Sequence, residues 1–423
     1  MEGAMKAYLY SADIYLPARD KVDLDKWACV ACDQYTSEHE YWNGLYDYVK
    51  DAPSTLHLIL PEAFLDKTDA LVPKINARMR EYLDMGAIEL SLDAMIYLER
   101  EQADGRIRRG IVGAIDLEEY DFHKGSKTLV RATEGTVLDR IPPRLRVRRG
   151  APIELPHIMM LIDDPDCTVI EPIAKKSGEY KKAYDLELMG GGGHAHGYFV
   201  DKADVGAINN ALSVLATCEE MNKKYGVSAE PLLFAIGDGN HSLATAKSLY
   251  EEIKSEIGEA AAKNHPARYA LCEMVNLHDA ALDFEPIYRV LFGVNAEKIA
   301  RDLKKHLDGL CGDASAQEFK LVWNGGETTL CCENPSSQLA VGTLQDILDG
   351  YVAENGIEID YVHGEDSVRA LCQKPDTVGI LFDGMSKDML FKTVILDGAL
   401  PRKTFSMGHA HDKRYYIECR KIK

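Results

Sequence analysis

Six residues, Gly237-Asp238-Gly239-Asn240-His241-Ser242, stand between an apolar run, Pro231-Leu232-Leu233-Phe234-Ala235-Ile236, and a helix-like run over residues 243–257. They gather a carboxylate, a carboxamide, an imidazole and a hydroxyl in one turn. A strand that ends in glycines and turns into a helix leaves backbone N–H groups pointing outward, where they attract anions. The chemistry this suits is phosphate binding with acid–base assistance. Asp238 can orient a hydroxyl nucleophile or hold Mg2+, His241 can bind phosphate or donate a proton, and Gly237, Gly239, Asn240 and Ser242 form the cradle. The turn is neither a Walker A loop, since no Gly-Lys-Ser/Thr follows, nor a dinucleotide fingerprint, since Ser242 takes the third glycine's place. The plainer reading is an Asp-Gly-Asn turn with His241 on the first turn of a helix; turns rarely need so many different polar groups beside a buried strand, which favours function.

Three further constellations could carry chemistry. Gly-His-Ala-His occurs twice, giving His194 and His196 and then His409 and His411. In an extended segment the histidines of each copy face one side, the spacing that grips a metal ion such as Zn2+, and two copies could supply four ligands. The alternative is a pair of glycine-rich loops that bring histidines to the surface. In Leu400-Pro401-Arg402-Lys403-Thr404-Phe405-Ser406, Arg402 and Lys403 precede hydroxyls, a combination suited to a phosphoryl group or a carboxylate. Its alternative is a basic loop leading into a final strand at 414–419. Arg144, Arg146, Arg148 and Arg149 form a basic cluster, and alternation would place Arg144, Arg146 and Arg148 on one face of an extended segment, either to hold phosphate or as a solvated edge. Cys29 and Cys32 have redox or zinc spacing without a second such pair, so packing beside Trp27 and Tyr35 competes with a chemical role.

The elements that position these groups alternate between helix and strand. Strands are expected at 55–60, 94–98, 108–116, 157–162, 183–189, 231–236, 268–276, 317–323, 328–332, 357–362 and 378–382. Helices are expected at 69–85, 126–141, 203–225, 243–257 and 345–354, the second stopped by Pro142-Pro143 and carrying Arg131, Glu134 and Arg140. This alternation predicts a mixed α/β (α+β) protein, with mixed sheets and flanking helices. At 423 residues and 46% hydrophobic, the chain is expected to form two or three subdomains. The expected regions are 1–150, 151–300 with the Asp-Gly-Asn-His turn, and 301–423, with soft boundaries and with one intertwined unit as the alternative.

Composition narrows the partners. A net charge of −19 repels nucleic acid and anionic lipid in bulk. No apolar stretch is as long as a membrane span, and residues 1–10 lack a signal-peptide pattern, so a cytoplasmic protein with reduced thiols is expected. A small-molecule substrate is the expected partner, and assembly as a homo-oligomer stays open.

Several separated motifs also carry a resemblance. The Asp-Gly-Asn-His-Ser turn, Arg131-Ala132-Thr133-Glu134-Gly135-Thr136 running into Arg140-Ile141-Pro142-Pro143-Arg144, Ala31-Cys32-Asp33-Gln34-Tyr35-Thr36 and Leu400-Pro401-Arg402-Lys403-Thr404 resemble, over essentially the whole chain, a widespread microbial family of unknown function, DUF1015. That family's usual Asp-Gly-His-His-Arg turn is similar to the signature of free-serine kinases in the ParB/sulfiredoxin-like superfamily. The resemblance implies a core of that type and a kinase-like phosphotransferase that uses ATP or ADP with Mg2+ on a small hydroxy amino acid such as serine. It assigns Asp238 and His241 to the turn's aspartate and histidine. Asn240 replaces the first histidine and Ser242 the arginine, so Arg402, Lys403, Arg131, Arg140 or the 144–149 cluster would have to grip phosphate. Glu134 is the candidate for the separate carboxylate. Two other readings stand beside this one: a nucleotide-binding regulatory module without turnover, and a metal-dependent hydrolase built on the two His-Ala-His copies.

Overall fold

Alternating side chains along three neighbouring strands show how the architecture is built, because successive residues of a strand point to opposite faces. In Ile96–Glu101, Ile96 and Leu98 enter one apolar core and Tyr97 another. Val112 and Ile111 divide in the same way in Ile107–Asp116, as do Leu271 and Met274 in Tyr269–Asn276. The sheet that holds these strands is therefore covered by core on both faces. The coordinates are a computed structural model that describes residues 6–136 and 141–423.

The chain forms two compact units, the first made of Met1–Ala132, Thr136–Leu282 and His409–Lys423, the second of Thr133–Gly135 and Asp283–Gly408. The first contains a nine-stranded mixed sheet. Its order is Tyr120–Asp121, Val130–Ala132, Phe234–Asp238, Met159–Ile162, Tyr269–Asn276, Ile107–Asp116, Ile96–Glu101, Gly193–Phe199 and Lys182–Leu188. It also contains a four-stranded sheet in the order Ile88–Ala94, Ala12–Pro17, Cys419–Lys421, Ile153–Glu154. The second unit is built on a six-stranded sheet centred on Phe284–Phe292 and Thr377–Phe382, with its own core around Val290, Val322, Val368 and Leu381. A mixed α/β protein with flanking helices is what the chain forms.

The grouping differs from the regions 1–150, 151–300 and 301–423 because pairing overrides sequence order. Ile107–Asp116 pairs with Tyr269–Asn276, and the C-terminal strand Cys419–Lys421 pairs with Ala12–Pro17. Local differences have local causes. Residues 55–58 form a 3-10 turn rather than a strand, because the Ser54 and Thr55 hydroxyls donate to the Trp27 carbonyl and Ser54 caps Leu56 N–H. The helix expected at 203–225 is two helices, Lys202–Leu215 and Cys218–Tyr225, the second capped by Thr217.

The segment 126–136 is not helical: Val130–Ala132 is a strand paired in parallel with Phe234–Asp238, and Glu134 forms a bridge with Leu400. Conversely, the arginine cluster is helical rather than extended. Helix Ile141–Gly150 buries Ile141 and Leu145, one turn apart, and Pro142-Pro143 lies in its first turn, where a missing N–H costs nothing.

One buried carboxylate ties the first unit together. Glu273 is fully buried, and its oxygens lie 3.3 Å from Arg108 Nε and 3.2 Å from Arg414 Nε. Arg414 also pairs with Glu418, which accepts from the Tyr184 hydroxyl, and Arg108 donates to the Asp412 carbonyl. Gly110 leaves room for Glu273, since a Cβ there would come within 2.6 Å of its Oε1. Arg414 and Glu418 belong to this network and Tyr415 makes only an isolated bridge with Val30, so in place of the strand expected at 414–419 the regular strand is Cys419–Lys421. Glu273→Ala leaves two guanidinium groups buried beside an empty site and is expected to cost about 3–5 kcal/mol, read as a lowered denaturation midpoint at unchanged slope.

Candidate active site

Asp238 is the last residue of strand Phe234–Asp238, and helix Asn240–Ile257 begins two residues later. Gly239 between them has φ +81°, and a Cβ there would lie 3.0 Å from Ile158 Cα, so both backbone and space require glycine. Asn240 is buried and its side chain donates to the Ile236 carbonyl, closing the turn on itself. His241 and Ser242 are half-buried on the first helical turn, and the residue at the N-cap position, Gly239, has no side chain with which to cap the helix.

Asp238 Oδ1 accepts from the Gly239 N–H at 3.0 Å, while Oδ2 is shut away from solvent with no hydrogen-bond partner among the described residues. Burial pushes its carboxyl above the ordinary value; Asp33 adds to the push, and Lys413 and His157 pull against it without prevailing. Asp33 behaves oppositely. Burial opposes its ionisation, yet His157, Gln34 and Arg144 hold its carboxyl well below the usual range. His157 is buried, with Nε2 3.5 Å from Asp33 Oδ2 and Nδ1 2.7 Å from the Tyr416 hydroxyl, which in turn accepts from the Cys32 N–H at 3.2 Å. Desolvation alone would lower the His157 pKa, but Asp33, with help from Asp238, raises it. Two carboxylates pushed in opposite directions beside one imidazole is an arrangement found where protons are moved.

His157, Tyr416, Ser242, Thr245 and Arg144 line a pocket that is open to solvent at its mouth. Its other wall is apolar, from Leu58, Leu60, Met79 and Val147. Cys32 reaches the same pocket. Burial pushes the thiols of Cys29 and Cys32 up to about 12, which suits packing better than redox chemistry. All ten cysteines are free thiols.

Other residues singled out in the sequence are placed as follows. Arg131 is buried, with Nε donating to the Thr128 carbonyl and Nη2 to those of Glu230 and Pro231, so these bonds fasten it to the segment that leads into strand Phe234–Asp238. Arg140 lies outside the described residues. The cluster of arginines is engaged: Arg144 with Glu62, Arg146 with Asp69, Arg148 with Glu154 and Arg149 with Glu252. Glu134, Arg402 and Lys403 belong to the second unit, whereas Asp238 and His241 belong to the first. There Arg402 pairs with Asp349 at 2.7 Å, and buried Arg289 donates to the Arg402 and Lys403 carbonyls.

The two Gly-His-Ala-His copies do not pool their ligands. His194 and His196 join Asp185, with one ligand atom from each within 4.8 Å of the others, and among the described residues this is the one such group. His409 and His411 stack on each other at 5.4 Å, and His411 Nε2 lies 3.7 Å from Asp412. Asp33, His157, Lys413 and Tyr416 escaped the reading of the sequence as site residues. Asp33 was within reach, since it sits inside the Ala-Cys-Asp-Gln-Tyr-Thr motif, but the others share no local pattern with the turn.

The chain belongs to the family described as proteins of unknown function, DUF1015, whose model matches residues 13–351. No curated protein matches the sequence. Among solved structures, the chain is similar to a conserved hypothetical protein from Pyrococcus furiosus, at 11% identity and a TM-score of 0.36 over 72% of this chain and 93% of that one. It is also similar to a free serine kinase variant in complex with ADP, at 12% identity and a TM-score of 0.40 over 75% and 93%. For SbnI from Staphylococcus aureus, truncated at its C-terminus, the values are 8% and 0.34 over 72% and 82%. Among the described residues no helix is long and apolar enough to cross a membrane.

The His157–Asp33 pair has a pH signature. A histidine raised above its usual 6.5 contributes stability fully present below that pH and lost as pH rises through the folded value. A carboxyl lowered from 3.8 contributes stability present above that pH and lost as pH falls. Asp33→Asn is therefore expected to lower the His157 pKa, and the stability gap to the unaltered protein should be widest between about pH 4 and 6.5. Imidazole titration by NMR and denaturation at a series of pH values would test this; a gap independent of pH rejects the coupling.

Proposed function

We propose that this protein transfers or hydrolyses a phosphoryl group on a small hydroxyl-bearing metabolite, with ATP or ADP as the nucleotide. The observation that supports this most is Asp238, whose buried Oδ2 has no partner among the described residues and whose carboxyl is pushed upward at the point where a strand gives way to a helix. A carboxylate in that state accepts a hydroxyl proton more readily than an exposed one. The first turn of helix Asn240–Ile257 places the positive end of the helix dipole at the phosphate, and Ser242 adds a hydroxyl from the same turn. Lys413, buried within electrostatic range of Asp238, supplies positive charge as the phosphoryl group moves. His157, fixed by Asp33 and Tyr416 at the pocket wall, orients the substrate and holds a proton near Asp238.

Mg2+ fits this donor set, because it is usually bound by one or two carboxylates together with substrate phosphates, and Asp238 would be its ligand from this chain. Bound there, the ion would neutralise charge on the phosphoryl group. Free serine is the first acceptor to test.

Asp238→Asn is expected to lower nucleotide turnover at least about 100-fold while leaving nucleotide affinity within a few-fold, the loss typical of a positioned acid–base group. Calorimetry for binding and a phosphate-transfer assay for turnover separate the two effects. Full activity in the variant sinks the role given to Asp238. Nucleotide binding by the unaltered protein without any product would instead favour a regulatory module.

A further inference from the structure

Strand Lys182–Leu188 is the outer strand of the nine-stranded sheet, and Gly193–Phe199 pairs with it. The register sets His194 opposite Glu187 and His196 opposite Asp185, and residues directly opposite in an antiparallel ladder share a face. The side chains converge accordingly. His194 Nε2 is 2.6 Å and His196 Nδ1 3.3 Å from the same atom, Asp185 Oδ1, and the two rings are 4.4 Å apart. On the other neighbouring strand Glu101 and Glu99 stand opposite the same two histidines, so the face around them is rich in carboxylates.

We infer that Asp185, His194 and His196 form a binding site for a divalent first-row metal ion of the Zn2+ class, independent of the residues around Asp238. Two imidazoles and one carboxylate are a ligand set that holds such an ion and leaves a fourth position for water or substrate. The second observation is the far side of His194. Its Nδ1 lies 2.8 Å from Glu187 Oε1, so the ring presents Nε2 inward and is fixed from behind by a carboxylate. That is the arrangement by which metal-ligating histidines are oriented and made more basic. Lys182, which contacts Asp185 through Oδ2, neutralises that carboxylate without taking the oxygen turned toward the histidines.

The site rests on a different set of residues from a fusion of the two Gly-His-Ala-His copies. His409 and His411 have no part in it, and one copy with two acids from the facing strand suffices. An ion there would clamp the outer strand, which is held on one side only, to its neighbour at the edge of the sheet.

The test uses the full chain without an affinity tag, stripped with a chelator and titrated with Zn2+ and with Co2+, whose visible ligand-field bands report coordination. One equivalent should bind, and thermal stability should rise with it. His194→Ala, His196→Gln and Asp185→Asn should each weaken binding more than tenfold, Glu187→Gln should weaken it about 10–100-fold, and His409→Ala should leave it unchanged. Circular dichroism of each stripped variant checks that it folds. Absence of stoichiometric binding, or binding that survives both histidine substitutions, overturns the assignment; loss on His409→Ala alone would move the site to the other copy.

Discussion

A carboxylate with no access to water must be neutralised, and the position of Glu273 in the middle of the nine-stranded sheet makes that demand on the rest of the first unit. Arg108, on the adjacent strand, answers part of it, and Arg414, from the far end of the chain, answers the rest. Anchoring Arg414 fixes its neighbours. Lys413, one residue before, faces Asp238, and Tyr416, two residues after, holds His157. A pairing made for electrostatic balance in the core thus delivers two of the groups that surround the candidate active site. The same segment hydrogen-bonds along 29–31, with Tyr416 N–H donating to Cys29 and Ala31 N–H to Arg414, which places Asp33.

The site that results is a set of opposed environments in a small volume. Asp33 is held ionised by an imidazole and a nearby guanidinium, and Asp238, a short distance away, is held toward its neutral form by burial and by Asp33 itself. His157 is the element common to both, and its two nitrogens are already engaged, so its orientation is fixed before any substrate arrives. Such preorganisation means that little rearrangement is needed when charge develops.

The turn at 237–242 was legible because its signal is local: an apolar strand, glycine at a position of positive φ, then helical spacing. The mixed α/β class was legible for the same reason, as were helix Thr68–Asp84 and strands such as Gln317–Trp323. The arginine cluster misled because charges at 144, 146 and 148 imitate a two-residue period, while the helix is set by Ile141 and Leu145, and a proline pair read as a stop is compatible with a first turn. Arg131 misled differently. Its charge suggested a ligand, but the carbonyls of Thr128, Glu230 and Pro231 engage its Nε and one terminal nitrogen. His157, Lys413 and Tyr416 had no sequence signal to offer, since their relation to Asp238 exists only through pairings between segments far apart in the chain.

Those long pairings are interrupted by an entire second unit, which leaves the first after Leu282 and gives the chain back at His409. Within that unit Phe284 pairs with Met407, and the Gly408 N–H donates to the Asp283 carbonyl at 3.2 Å. The excursion therefore begins and ends at the foot of one two-stranded ladder. Closing a loop costs entropy that grows only with the logarithm of its length, and here the ladder does the closing. As far as chain entropy is concerned, the first unit experiences its longest interruption as though it were a hairpin, so the joining of Glu273 to Arg414 is nearly a local event.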